Sequence, residues 1–135
     1  MRNFLVLSFA LVALLFSPAL TGGADQGGIN PKVISTSPKS GDTGVDPLLS
    51  KITVTFNKPM LNKSWSWSYE DQDSFPQTAG HPSYTDDGTT CVLPVKLEPG
   101  KRYVIWINTA EFKNFKDRSG IPVAPYRLEF STRQK

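Results

Sequence analysis

Two stretches of the chain alternate hydrophobic and polar residues in the way that is typical of half-buried β-strands. The first runs from Lys51 to Met60 and is stopped by Pro59, and the second closes the chain. The hydrophobic members of the two stretches are Ile52, Val54 and Phe56, and then Tyr126, Leu128 and Phe130. We therefore expect each stretch to turn one face toward a core.

Further strands and turns lie between these two. Short strands are predicted over Val33 to Ser35, Thr90 to Val95 and Tyr103 to Ile107, the last with two apolar faces and hence central in its sheet. Asp86-Asp87-Gly88 and Pro99-Gly100 are turn signals. Short strands separated by such turns predict an all-β fold, a β-sandwich of about seven antiparallel strands.

The start of the chain has the pattern of a secretory signal peptide. Arg2 precedes an apolar run of 13 residues, Phe4 to Phe16, which is too short to cross a bilayer of about 30 Å as a helix. Small residues before Asp25 favour cleavage there, with Ala19 as the alternative cleavage point. We predict a signal peptide over 1–24, a flexible leader over 25–31 and one domain over 32–135, with no stable membrane insertion after cleavage.

Charge gives little indication of a nucleic-acid partner. The formal net charge is +3 for the whole chain, and Arg2 is the only charged side chain in residues 1–24. The remaining lysines are spread along the chain without a cluster, which is typical of a solvated surface. We expect no nucleic-acid binding.

Residues suited to catalysis or to metal binding are few. Cys91 is the only cysteine, so the chain has no internal disulfide. It shares a strand face with Leu93 and Val95, which favours a buried thiol over an intermolecular disulfide. His81, the only histidine, lies between Gly80 and Pro82 in a predicted surface loop. The sequence predicts no enzyme, no cofactor and no metal site.

One segment permits a binding hypothesis. Trp65, Trp67 and Tyr69 alternate with serines, so an extended backbone places the three rings on one face. Exposed, they would form an aromatic platform for a sugar or a protein partner. Buried, they would be one strand's contribution to the core. The sequence leaves both hypotheses, the exposed platform and the buried strand, open.

Several motifs resemble, in order and spacing, the bacterial Ig-like domain of the SbsA type, first described in S-layer proteins. The matching stretches are Ser37-Pro38 with Gly41 and Val45-Asp46, the run from Ile52 to Met60, the turn from Leu97 to Tyr103, the stretch from Phe115 to Pro122, and Phe130-Ser131-Thr132. The resemblance implies an Ig-like β-sandwich that spaces, presents or adheres in exported bacterial proteins. The resemblance implies no catalytic residues in this chain.

Together these observations predict an exported, non-catalytic Ig-like module with a structural or protein-interaction role at the bacterial cell envelope. Its expected location is the periplasm, the cell surface or the extracellular space. The expected partner is another envelope protein or a cell-surface polymer such as a glycan. The alternative is a carbohydrate-binding module that uses Trp65, Trp67 and Tyr69 as its platform.

Overall fold

A computed structural model of the chain describes residues 29–135. The predicted signal peptide, 1–24, and residues 25–28 of the predicted leader lie outside the described residues. The last leader residues lie against the domain, because the Lys58 side chain donates a hydrogen bond to the carbonyl of Ile29 at 2.9 Å. The boundary at residue 32 stays a prediction.

The described part of the chain is built almost entirely from β-strands. Residues 29–135 form β1 (Val33–Ser37), β2 (Lys51–Phe56), β3 (Trp67–Ser68), β4 (Gln77–Thr78), β5 (Ser83–Tyr84), β6 (Thr90–Lys96), β7 (Arg102–Ile107) and β8 (Tyr126–Ser131). A single 3₁₀ turn at Gln72–Ser74 follows β3. Within these residues no helix has the length and apolarity that crossing a bilayer requires.

The strands form two antiparallel sheets. The larger sheet has the order β1-β2-β6, and the short strands β4 and β5 both pair with the far edge of β6. The smaller sheet has the order β3-β7-β8, so β7 is central, as its two apolar faces predicted. The predicted all-β sandwich is confirmed, with three two-residue strands among its members.

The core lies between the two sheets and follows the predicted alternation. In β2, Ile52, Val54 and Phe56 are buried while their neighbours are not. In β6, Cys91 is fully buried beside Leu93, as its strand position predicted. Burial of this apolar surface is the main favourable term available for folding, since the only cysteine is free.

Tight turns connect the strands at the predicted positions. Gly88, between β5 and β6, has a φ of 74°, and Gly100, between β6 and β7, has a φ of 62°. Glycine adopts this left-handed conformation without the steric penalty that a Cβ brings. The Asp86-Asp87-Gly88 hairpin and the Pro99-Gly100 turn are therefore both confirmed.

A buried ion pair fastens the end of β2 to the loop before β8. The carboxylate of Asp117 is fully buried and lies 2.8 Å from the Lys58 ammonium. It also accepts backbone hydrogen bonds from Ser119 and Ile121, both at 2.9 Å. Burial alone would raise the pKa of Asp117, but the hydrogen bonds from Lys58, Ile121 and Ser119 outweigh it and hold the pKa below its ordinary value.

We expect Asp117→Asn to lower the free energy of unfolding near neutral pH by about 1.5–3 kcal/mol, because it removes a charged hydrogen bond. The lowered pKa means that the folded state releases this proton more readily than the unfolded state. The stabilisation that the Asp117 carboxylate provides is therefore complete above the ordinary carboxyl pKa of 3.8. It is lost as the pH falls through the lower pKa that Asp117 has in the folded state. Urea denaturation at a series of pH values measures both effects.

The matched control for this experiment is Glu98→Gln, which removes a carboxylate from an exposed pair with Lys101. That change should alter stability by less than about 0.5 kcal/mol. A gap between wild type and Asp117→Asn that stayed constant below the ordinary carboxyl pKa would contradict the prediction.

Candidate binding groove

An open groove of about 850 Å³ lies at one side of the sandwich. Its lining comes from β3 and its neighbours, from the segment around β4, from β6 and from the loop after β7: residues 65–69, Phe75, Thr78, residues 80–82, Leu93, Thr109, Glu111, Phe112 and Asn114. Both sheets therefore contribute to it. The volume falls within the range of about 300–1,000 Å³ that is usual for ligand sites.

Two tryptophans form the part of the groove nearest the core. The Trp67 ring meets Phe115 edge to face, with 5.3 Å between ring centroids, and the Trp65 ring lies 6.2 Å from that of Tyr84. Both indoles are half-buried and pack against the core. Each is thus both a core residue and a groove-lining residue.

Two further rings are largely exposed at the groove. Tyr69 has 54% of its surface exposed and contacts Phe75, with centroids 6.3 Å apart. Phe112, in the loop after β7, is 55% exposed. Large exposed aromatic side chains that share one concavity are typical of binding surfaces.

The expected strand over residues 65–69 is shorter than its alternating pattern indicated. Only Trp67 and Ser68 pair with β7, opposite Ile107 and Trp106. Ser66 instead uses its hydroxyl to accept a hydrogen bond from the Asn114 backbone N–H at 3.0 Å. All three predicted residues line one groove, but Trp65 and Trp67 are half-buried and only Tyr69 is exposed. Their role in binding stays a prediction.

The loop that carries Phe112 is held by Asn108. This residue is fully buried and has a φ of 68°, which is uncommon outside glycine. Its amide donates to the carbonyls of Phe115 and Val123 and accepts from the Phe115 N–H, each at 2.9 Å. These bonds fix both ends of the segment 108–115 and so position one wall of the groove.

Within that loop, a compact turn presents the Phe112 ring. The Thr109 hydroxyl accepts hydrogen bonds from the backbone N–H groups of Glu111 and Phe112, at 3.2 and 3.0 Å. The Thr109 N–H donates in return to the Phe112 carbonyl at 2.9 Å. Sequence reasoning missed Phe112, because it belongs to no periodic pattern; the one available signal was a phenylalanine between two charged residues.

A carboxylate on the outer face of the smaller sheet anchors the segment after Tyr69. Glu70 accepts hydrogen bonds from the Trp106 indole N–H at 3.0 Å and from the Arg127 guanidinium at 2.9 and 3.2 Å. The bonds from Arg127, followed by that from Trp106, lower the pKa of Glu70 to about 2. Glu70 thereby links the groove wall to β7 and β8.

We expect Arg127→Leu to raise the pKa of Glu70 from about 2 toward its ordinary value of 4.5, because Arg127 supplies the largest stabilisation of the ionised form. The carboxyl ¹³C chemical shift of Glu70, followed by NMR against pH, measures this directly. Arg102→Leu is the control. Arg102 pairs with Glu129 and has the smallest effect on Glu70, so the pKa should move little. Equal shifts in both variants would show that Arg127 is not the anchor.

Among the described residues, the polar groups at the groove are better suited to binding a ligand than to catalysing a reaction. His81 is exposed at the groove, and within residues 29–135 its ring makes no hydrogen bond to a nucleophile or an acid. Burial raises the pKa of the Cys91 thiol to about 12, with a small opposing effect from the nearby Trp67 indole. The Trp67 Nε1 itself has no hydrogen-bond partner in the described part of the chain. Among the described residues, no three His, Cys, Asp or Glu side chains come together as a metal site.

Comparison with known proteins gives both a family and a fold. The sequence profile of the family described as "Bacterial Ig-like domain" matches residues 28–132. The structure titled "Structure of surface layer protein SbsC, domains 1-6" is similar over 83% of this chain and 15% of its own, at 21% identity and a TM-score of 0.50. The "Crystal structure of the S-layer protein rSbsC(31-844)" has the same identity and coverage and a TM-score of 0.49.

This chain thus spans 15% of the length of the solved structures it resembles, and at 21% identity the likeness concerns the fold. A search of curated proteins finds no match.

Proposed function

Because this chain belongs to the bacterial Ig-like domain family, we propose that it is an exported, non-catalytic module with a structural or protein-interaction role at the bacterial cell envelope. Within the family we assign it to the SbsA type, on the motifs it shares with that type. Its partner is another envelope component, either a protein or a surface polymer, and the groove is the surface that binds it.

The observation that carries this proposal is the exposure of Tyr69 and Phe112 at one groove. The two rings come from different segments, one following β3 and one following β7. Each segment is tied down, the first through Glu70 and the second through Asn108. A rigid apolar concavity on a stable scaffold is what a binding module requires, because little ordering entropy is then lost on association.

The absence of an assembled reactive centre supports a non-catalytic role for the described residues. A nucleophile needs a base within hydrogen-bond reach, or a lowered pKa, to react near neutral pH. The Cys91 thiol is buried and its pKa is raised to about 12, which is the opposite of activation. His81 is exposed and makes no hydrogen bond with the residues that the structure describes.

Retention on washed envelopes tests the proposed site. The purified domain should sediment with bacterial envelopes. The double variant Tyr69→Ala/Phe112→Ala should bind the envelopes at least about ten-fold more weakly, as expected when aromatic side chains at an interface are truncated. The control is Ile34→Ala/Leu48→Ala, which removes two exposed hydrophobic side chains, 60% and 87% exposed, that do not line the groove. Equal losses in both variants, or no retention of wild type, would contradict the proposal.

Export is tested separately with the full chain. Expressed in a bacterial host, the protein should be found outside the cytoplasm with Asp25 as its first residue, or with Leu20 if cleavage follows Ala19. N-terminal sequencing of the fractionated protein makes this measurement. An intact Met1 on a cytoplasmic product would contradict export.

A further inference from the structure

The chemistry of the groove lining indicates which kind of partner it accepts. Four lining side chains, Thr78, His81, Glu111 and Asn114, have polar atoms that make no hydrogen bond to any residue in 29–135. A hydroxyl, an imidazole, a carboxylate and an amide offer both donors and acceptors. They stand beside the exposed rings of Tyr69 and Phe112, so the groove combines apolar faces with free hydrogen-bonding groups.

The charge of this surface disfavours an anionic polymer. Within residues 29–135, no lysine or arginine side chain lines the groove, and Glu111 is its one carboxylate. Asp71 and Asp73 lie between the lining residues Tyr69 and Phe75, and Lys113 lies between Phe112 and Asn114, so the groove and its flanking residues carry more negative than positive charge. A polyanion would therefore meet net repulsion. An uncharged ligand meets no such cost.

The shape and bonding of the groove also argue against an extended peptide. Peptides that bind as an added strand use the free backbone groups of a sheet edge. Here the edge strands at the groove, β3 and β4, are only two residues long each, so they offer an added strand few backbone partners. The free polar side chains of the groove suit a ligand rich in hydroxyls better.

We infer that the groove binds an uncharged polysaccharide chain, whose sugar rings stack on Tyr69 and Phe112 while its hydroxyls bond to the free polar side chains. This inference rests on the proposed function and names the partner of the same site. The apolar C–H face of a sugar ring matches an aromatic face, and the hydroxyls at the ring's edge match polar groups beside it.

Tryptophan fluorescence provides the test, because Trp65 and Trp67 line the same groove. The mature domain is titrated with chitohexaose, cellohexaose and maltohexaose as neutral probes, and with hexagalacturonate as a charged probe of the same length; calorimetry repeats each titration. At least one neutral probe should bind saturably, and hexagalacturonate at least about ten-fold more weakly. Tyr69→Ala and Phe112→Ala should each weaken binding at least about ten-fold, whereas Ile34→Ala should not.

The inference is overturned if no neutral probe binds by either method, if hexagalacturonate binds as well as the neutral probes, or if the two groove variants bind like wild type. A further experiment distinguishes failure of this inference from failure of the proposed function. Retention on envelopes should survive protease treatment of those envelopes. Groove-dependent retention that protease abolishes would identify a protein partner, which overturns the glycan inference and leaves the proposed function standing.

Discussion

Replacing Phe115 with alanine should lower the free energy of unfolding by about 3–5 kcal/mol, the usual cost of removing a fully buried phenylalanine. The ring is completely buried, and its centroid lies 5.5 Å from that of Phe56 and 5.3 Å from that of Trp67. It therefore joins β2 of the larger sheet to β3 of the smaller one. Its removal would open a cavity that neither strand can close. Urea denaturation followed by circular dichroism measures the change.

The matched control is Phe112→Ala, the same substitution three positions earlier in the same loop. Phe112 is 55% exposed, so its loss should change stability by less than about 0.5 kcal/mol. The pair separates a phenylalanine of the core from one at the proposed binding groove. Similar costs for the two variants would contradict the assignment of Phe115 to the core and of Phe112 to the groove.

The contrast between these two phenylalanines shows where sequence reasoning succeeds and where it stops. In β2, the alternation of Ile52, Val54 and Phe56 correctly placed every one of these residues in the core, because a strand exposes alternate residues to opposite faces. Phe115 and Phe112 lie in an irregular segment without a period. Hydrogen bonds made by Thr109 and Asn108 fix the path of that loop and so decide which ring turns inward, and no periodic pattern in the sequence indicates them.

The groove was out of reach of sequence reasoning for a related reason. The alternation at Trp65, Trp67 and Tyr69 drew attention to one wall, but it could not place Phe112, which is 43 positions beyond Tyr69. The two exposed rings share a concavity because β3 pairs with the end of β7, which brings the loop after β7 beside them. That adjacency is a property of the sheet order and not of any local pattern.

The tryptophans belong both to the core and to the proposed binding groove. Trp67 contacts Phe115 on one side and lines the groove on another, so a change at Trp67 would disturb both. Tyr69 is not part of the core cluster, although its neighbour Phe75 packs against that cluster, so Tyr69 can be changed with less effect on folding. Binding experiments are therefore informative at Tyr69 and Phe112, whereas losses at Trp65 or Trp67 would combine two causes.

Asn108 is the polar counterpart of Phe115, and Asn108→Ala should cost about 3 kcal/mol or more of unfolding free energy. The change would leave the Phe115 N–H and the Val123 carbonyl buried without partners, at about 1–3 kcal/mol each, whereas the Phe115 carbonyl would keep its hydrogen bond from the Val123 N–H. Alanine would also have to adopt a φ of 68°, which costs roughly 1 kcal/mol more than in glycine. Chemical denaturation near neutral pH measures the sum.

Two further variants divide this effect into its parts. Asn108→Gly tolerates the positive φ but loses the same three hydrogen bonds, so it should recover only about 1 kcal/mol relative to Asn108→Ala. Asn114→Ala removes an amide that makes no side-chain hydrogen bond to residues 29–135 and should change stability by less than about 0.5 kcal/mol. If Asn108→Gly were as stable as wild type, backbone strain and not the buried hydrogen bonds would be what requires asparagine at this position.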